Sequence, residues 1–242
     1  MQLDAAFYLR GVGFAAGGAV FWLMYFDLKD RLQPEPRKHL VASFVLGAMA
    51  AVASIIVYDA VERLGFGEPR RPGRDLFAYC VLVIGLIEEG FKFLVYALIV
   101  SRWRDFDERM DAVVYAAAVA IGYATMENLL FLPSLTWTEQ LARSLSSPIT
   151  HSLFAFLWGY GMGRARFDGL GRTSGFLLVA GLLALSMVLH GFYDYALLAW
   201  GASEITAVIA LVLWLLLIAH TRRLMARSRA AAPGEQGPPA GV

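Results

Sequence analysis

The chain has 242 residues, of which 58% are hydrophobic and 17% are charged, a composition that excludes an ordinary soluble domain and indicates a membrane protein. Its formal net charge of +1 leaves no dense basic patch for a nucleic-acid partner. Its single cysteine, Cys80, excludes a disulfide framework and a thiolate metal site.

Seven apolar runs are long enough to cross a bilayer core of about 30 Å, which takes about 20 helical residues. They lie near residues 6–26, 40–58, 76–100, 112–131, 147–163, 176–200 and 204–220. The sequence therefore predicts an all-α, polytopic integral membrane helix bundle of about seven transmembrane helices, with room for an eighth short segment. Residues 1–228 would form one transmembrane domain, with residues 229–242 as a flexible cytoplasmic tail.

Two features within these runs concern helix packing. Gly13 and Gly17 have the small-xxx-small spacing that lets helix backbones approach, and "GYGMG" at 159–163 is interpreted in the same way. The stretch "TWTEQLARSLSSPIT" before the fifth run has the composition of an interfacial amphipathic helix.

Lys and Arg are concentrated in alternate connections. Loops 27–38, 101–111 and 164–175 and the tail hold 14 of the 21 basic residues, and the opposite connections hold five. Because basic residues of short loops stay in the cytoplasm, this distribution predicts the N-terminus outside and the C-terminus inside. The loop 60–75 is discordant, since it puts four arginines on the outer side.

Four predicted spans carry ionisable side chains, each of which costs about 2.5–3.5 kcal/mol at the centre of a span when ionised. The third span carries Glu88, Glu89 and Lys92, the fourth Glu127 beside Asn128, the fifth His151, and the sixth His190 and Asp194. Such residues are functional candidates because they must face protein or water.

Helical spacing puts several of these side chains on shared faces. Glu88 and Lys92 are about 40° apart and Glu89 lies about 100° from Glu88, so the three occupy one arc. His190 and Asp194, at i and i+4, lie one above the other. At about 1.5 Å of rise per residue, all these groups fall in the middle or outer half of the bilayer. We therefore expect them to converge on one cavity that opens to the outer half.

Paired carboxylates with histidines support two kinds of hydrolysis. In the first, Glu89 or Glu88 acts as general base on a water while His190 and His151 stabilise the oxyanion of a peptide carbonyl. In the second, a divalent metal such as zinc, held by Glu88, Glu89, His190 and Asp194, activates the water. The sequence leaves both open, and no cofactor is certain.

The remaining roles follow from the same spacing. Lys92 is predicted to pair with Glu88 while Glu89 activates the water, and the same spacing allows the reverse assignment of the two glutamates. In the first assignment, Glu89→Gln should abolish cleavage and leave the protein folded. Asp194 is expected to orient His190.

The same residues are also compatible with roles outside proteolysis. Glu88 with Lys92 is as readily a buried structural pair, and the full set could form the relay of a proton- or cation-coupled transporter. A non-catalytic scaffold is disfavoured because every position expected for chemistry is filled. Four spans that supply ionisable groups at one depth favour a functional site.

The motifs "EEGFK", "YATMEN", the His151 segment "HSLFAFLWGYGMG" and "HGFYD" resemble, in this order, the E-E-x-x-K, aromatic-x-x-x-E and H-x-x-x-D pattern of the PrsW family of intramembrane proteases. The resemblance covers residues 76–200. Lys92 in place of Arg and Glu127 in place of His favour this family over the related CAAX-processing endopeptidases. Tyr123 stands where Phe is commoner.

The resemblance implies a multi-pass endopeptidase of the bacterial cytoplasmic membrane that makes a site-1-type cut in a single-span membrane-anchored protein. For the family's namesake, the resemblance implies that the substrate is an anti-sigma factor, which is cut on its outer side in a stress response. The family is called a metalloprotease by name, whereas its CAAX-processing relatives resemble glutamate-dependent proteases. The candidate catalytic residues are Glu88, Glu89, Lys92, Glu127, His151, His190 and Asp194.

Overall fold

The computed structural model describes residues 4–29 and 34–201 and, beyond these, isolated positions between 208 and 222. The described residues form seven α-helices and no strand. The helices are α1 (Ala5–Lys29), α2 (Arg37–Arg63), α3 (Arg74–Tyr79), α4 (Leu86–Leu98), α5 (Arg109–Leu130), α6 (Trp137–Phe167) and α7 (Arg172–Trp200). The all-α prediction is confirmed. The predicted seventh span is described only at isolated positions, and the predicted tail lies outside the described residues.

Four of the helices are long and apolar enough to span a membrane: α1 up to Leu28, α2, α5 and α7. The predicted third span is divided, because a π-helical turn, Cys80–Gly85, separates α3 from α4. The predicted fifth span begins ten residues earlier than expected. Thr136 and Glu139 form a capping box that starts α6 at Trp137, and the amphipathic stretch is the first half of this helix.

Helix α5 lies at the centre of the bundle and contacts α1, α2, α4 and α6. Its residues are buried without interruption from Met110 to Thr125. Small side chains allow this close packing. A Cβ added to Gly47 of α2 would lie 1.9 Å from the carbonyl oxygen of Val119, so these two backbones touch.

The glycines of α6 pack as predicted, and those of α1 do not. A Cβ at Gly159 would lie 2.9 Å from the Ala112 oxygen of α5, which confirms a packing role for this segment. At Gly13 and Gly17 a Cβ would meet no atom within 4 Å, so the predicted contact is not found among the described residues. The contact instead involves Gly18, where a Cβ would lie 1.8 Å from the Ser144 oxygen.

This α1–α6 contact lies beside Pro148, which interrupts the hydrogen bonding of α6 because proline has no N–H. Gly18 approaches the Ser144 oxygen, the acceptor that Pro148 leaves without its helical donor. One residue further on, the Trp22 indole donates to the Leu145 oxygen at 2.8 Å. Helix α1 therefore supports the turn of α6 that precedes His151.

Candidate active site

All seven predicted site residues lie in one cluster toward one end of the bundle. They come from the first turns of α4, the last turns of α5 and α7, and the middle of α6. Each lies within 3.9 Å of another member of the set. The predicted convergence of four segments is therefore present.

The π-helical turn brings the start of α4 against α7. A Cβ on Gly85 would lie 2.2 Å from the Met187 oxygen, and one on Gly191 would lie 2.5 Å from the Cys80 oxygen. Only glycine at both positions permits this distance. The contact sets Glu89 directly opposite His190.

Glu89 is fully buried and its two carboxylate oxygens accept four hydrogen bonds. Oε1 accepts from Lys92 Nζ and from His190 Nδ1, each at 2.8 Å. Oε2 accepts from Trp158 Nε1 and from Ser186 Oγ, each at 3.0 Å. Both oxygens are thus saturated by protein donors.

Lys92 is also fully buried and joins two parts of the cluster. Its ammonium group lies 2.8 Å from Glu89, 2.7 Å from His151 Nδ1 and 3.5 Å from Glu88 Oε2. It also lies 4.4 Å from the centroid of the Tyr123 ring, a cation–π contact. The predicted ion pair with Glu88 is therefore present, but Glu89 is the closer carboxylate.

The contacts of His151 define its tautomer. Because Lys92 can only donate, His151 Nδ1 accepts, and the hydrogen of a neutral ring is then on Nε2. This Nε2 lies 3.1 Å from Glu127 Oε2. The ring also stacks on Tyr123, with centroids 6.0 Å apart.

His190 is held on both sides. Its Nδ1 donates to Glu89, while Nε2 lies 3.4 Å from Asp194 Oδ2 and 3.6 Å from Glu88 Oε2. Its ring stacks on Phe154 at 4.9 Å. Glu89 makes the shorter contact with His190, so Glu89 orients the ring, a role that was predicted for Asp194. A carboxylate on one imidazole nitrogen fixes the ring and directs the other nitrogen into the site.

Glu88 differs from Glu89 in having a free oxygen. Its Oε1 accepts from the Tyr58 hydroxyl of α2 at 3.2 Å, whereas its buried Oε2 has no hydrogen-bond partner among the described residues. Three nitrogens surround Oε2 beyond hydrogen-bond distance: Lys92 Nζ at 3.5 Å, His190 Nε2 at 3.6 Å and His151 Nδ1 at 3.9 Å. An unpartnered buried carboxylate oxygen is unusual and points to a functional role.

A cavity of about 480 Å³ has Glu88 in its wall. Its polar wall includes Tyr58, Glu68, Glu88, Glu127, Arg143 and Asp194. Its apolar wall includes Leu130, Phe131, Leu135, Leu197 and Leu198. Of the seven predicted site residues, three line the cavity, and the other four lie behind its polar wall: Glu89, Lys92, His151 and His190.

Four residues that the sequence patterns did not single out hydrogen-bond to the cluster: Tyr58, Arg143, Trp158 and Ser186. Helical spacing could have identified two of them. Trp158 lies seven residues after His151 and Ser186 four residues before His190, so each shares a face with a selected histidine. Tyr58 and Arg143 act across helix interfaces and carry no such signal.

The donor set fits a divalent metal. Glu88, His151 and His190 each offer one ligand atom within 4.8 Å of the others, all three are buried, and two imidazoles with one carboxylate form a known catalytic zinc set. This group differs from the predicted ligand set, since the oxygens of Glu89 already accept hydrogen bonds from protein donors and His151 is included instead. Lys92 contacts His151 Nδ1 and would compete with an ion for that nitrogen.

Comparisons with known proteins identify the family of the chain. A family model described as PrsW family intramembrane metalloprotease matches residues 35–220. A protein named Protease PrsW from Geobacillus kaustophilus is 33% identical over 81% of this chain and 83% of its own length. Another from Bacillus subtilis is 31% identical over 80% and 84%, and one from Clostridioides difficile is 28% identical over 87% and 88%.

No solved structure matches the chain. The family model nevertheless spans most of the sequence and contains every residue of the cluster. The predicted resemblance is therefore confirmed, and the transporter alternative gains no support from these comparisons. The chain is a multi-pass membrane peptidase that belongs to the PrsW family of intramembrane metalloproteases.

Proposed function

We propose that this peptidase cuts a single-span, membrane-anchored protein and that Glu88 is the carboxylate that activates water. The observation that carries the proposal is the contrast between two adjacent glutamates. Glu88 lines the cavity and has an unpartnered oxygen, while Glu89 lies behind it with four hydrogen bonds. A general base needs a free lone pair facing the substrate.

The other residues have supporting roles in this mechanism. Glu88 takes a proton from water, and the hydroxide adds to the peptide carbonyl. Lys92 and His190 Nε2, both near Glu88 Oε2, stabilise the negative charge on the carbonyl oxygen. The C–N bond then breaks and the proton passes from Glu88 to the leaving amine. Glu89 holds Lys92 and His190 in place throughout.

A divalent cation held by Glu88, His151 and His190 would supply Lewis-acid activation of the water and the carbonyl. Tyr58 donates to Glu88 Oε1 and so leaves Oε2 to the nitrogens of Lys92 and His190 in either case.

The substrate proposal rests on the shape of the cavity and on the family. The apolar wall suits side chains of a membrane-embedded segment, and the polar wall suits its exposed peptide bond. We further propose that the cavity opens to the outer half of the bilayer and that the substrate is of the anti-sigma-factor type that the resemblance implies. The basic residues of the alternate loops support this orientation, with the N-terminus outside. This orientation puts the loop 64–73 on the outer side of the membrane, so chemical labelling of that loop from outside the cell tests it.

Cleavage of fluorogenic single-span peptides by the purified, detergent-solubilised protein tests the proposed reaction. Glu88→Gln should abolish cleavage, while the control Glu62→Gln, on an exposed position of α2, should leave the rate unchanged. Undiminished cleavage by Glu88→Gln would refute the role of this residue. Each variant is measured with and without chelator. Loss of cleavage with chelator and recovery with zinc would indicate the metal-dependent form, and chelator-independent cleavage the glutamate-dependent form.

If wild type cleaves no peptide, pH-gradient-dependent flux in liposomes would favour the transporter alternative.

A further inference from the structure

Arg143 links α6 to the end of α5 through four contacts, three of them with two adjacent polar residues. Its Nη2 lies 2.8 Å from Glu127 Oε1, and its Nε donates to Asn128 Oδ1 at 3.0 Å. The Asn128 amide in turn donates to the Arg143 carbonyl oxygen at 3.2 Å. The guanidinium also lies 5.4 Å from the centroid of the Phe131 ring. The planar guanidinium of Arg143 therefore binds two residues through two different nitrogens, Nη2 and Nε. The single ammonium group of a lysine could not reproduce this geometry.

The contact continues from Glu127 into the centre of the cluster. One oxygen of Glu127 faces Arg143, and the other lies 3.1 Å from His151 Nε2. His151 Nδ1 in turn contacts Lys92, which lies beside Glu88. The position of the His151 ring thus depends on a carboxylate that Arg143 holds.

The charge of the cavity wall gives a second reason for an arginine here. The lining residues include four carboxylates: Glu68, Glu88, Glu127 and Asp194. Among the described lining residues, Arg143 is the only cation. Several ionised carboxylates in a low-dielectric site require a compensating charge. Arg143 supplies it at Glu127, so that Lys92 remains available to Glu88 and Glu89.

From these contacts we propose that Arg143 is a positioning residue of the hydrolytic site, which acts by holding Glu127 against His151. The proposal rests on the proposed protease function. An ordinary interhelical ion pair would stabilise the fold without affecting turnover, and a substrate-binding arginine would act on KM. A positioning residue lowers kcat, and its effect depends on Glu127.

The experiment measures kcat and KM on a single-span peptide that wild type cleaves and Glu88→Gln does not, so a failure of the proposed function is seen separately. Arg143→Gln should lower kcat roughly 10- to 100-fold, as loss of a group that orients a site ligand does. KM should change less than about 3-fold, since a positioning residue does not itself bind the substrate. Arg143→Lys should recover part of kcat. Arg166→Gln is the matched control, because Arg166 is on the same helix and donates to the Ser101 oxygen away from the cluster.

A double-mutant cycle with Glu127→Gln identifies the residue through which Arg143 acts. The double variant should be no slower than the slower single variant, because both changes remove the same support of the His151 ring. Three results would overturn the proposal: an unchanged kcat in Arg143→Gln, a large rise in KM with kcat preserved, or effects of the two changes that multiply. Should Arg143→Gln fail to fold, Arg143→Lys is decisive, because it keeps the charge but cannot hold both residues. A wild-type kcat in Arg143→Lys would then refute the positioning role.

Discussion

Glu89→Gln and Glu88→Gln make the same chemical change at adjacent residues, but Glu89→Gln should destabilise the fold much more. In Glu89→Gln, the neutral amide has one oxygen in place of two, and its NH2 group must face a pair of donors. It faces either Lys92 with His190 or Trp158 with Ser186. At least two hydrogen bonds are lost, and the buried Lys92 loses the closer of its two ion-pair partners.

The magnitude follows from these contacts. Hydrogen bonds to charged groups contribute about 1.5–3 kcal/mol each, and removing one member of a buried ion pair costs about 3–5 kcal/mol. We expect Glu89→Gln to lower the free energy of unfolding by about 3–5 kcal/mol, a large part of the roughly 5–15 kcal/mol of a typical domain. Glu88→Gln keeps an acceptor for Tyr58 and should cost less than about 1 kcal/mol.

Reversible unfolding in mixed micelles, followed by circular dichroism, measures both values. Equal unfolding free energies for the two variants would refute the assignment of Glu89 as the buried anchor. They would also restore the sequence-based expectation that Glu89→Gln leaves the fold intact. Cleavage by the folded fraction of each variant completes the comparison, since Glu88→Gln should be folded and inactive.

Two other predictions concern helix packing and orientation. Gly18→Ala should destabilise the protein by about 1–3 kcal/mol through overpacking against the Ser144 oxygen. The control Gly17→Ala, with no described atom within 4 Å of the added carbon, should stabilise α1 by up to about 1 kcal/mol in the same unfolding assay. A membrane-impermeant maleimide should label Arg71→Cys in intact cells but label Arg104→Cys only after permeabilisation. Both positions are exposed, whereas the native Cys80 is buried and provides the unlabelled control. The reverse pattern would invert the proposed topology.

The sequence predicted the positions of α1, α2, α5 and α7, because about 20 consecutive apolar residues have few alternatives to a transmembrane helix. It did not find the π-helical turn at 80–85, because hydropathy does not distinguish one helical hydrogen-bond pattern from another. The start of α6 was missed for a related reason. A helix whose first turns are polar gives no apolar run, although the capping box of Thr136 and Glu139 was visible in the sequence.

By itself, the sequence determined which ionisable residues share a face of one helix, such as Glu88 with Lys92 and His190 with Asp194, because the helical period fixes these relations. Only the tertiary structure decided the partners across helices. The glycine contacts at Gly85 and Gly191 set the distance between α4 and α7 and so assigned His190 to Glu89. The distance between α4 and α7 also decides which of the two adjacent glutamates retains an unpartnered oxygen. No local sequence pattern encodes this difference.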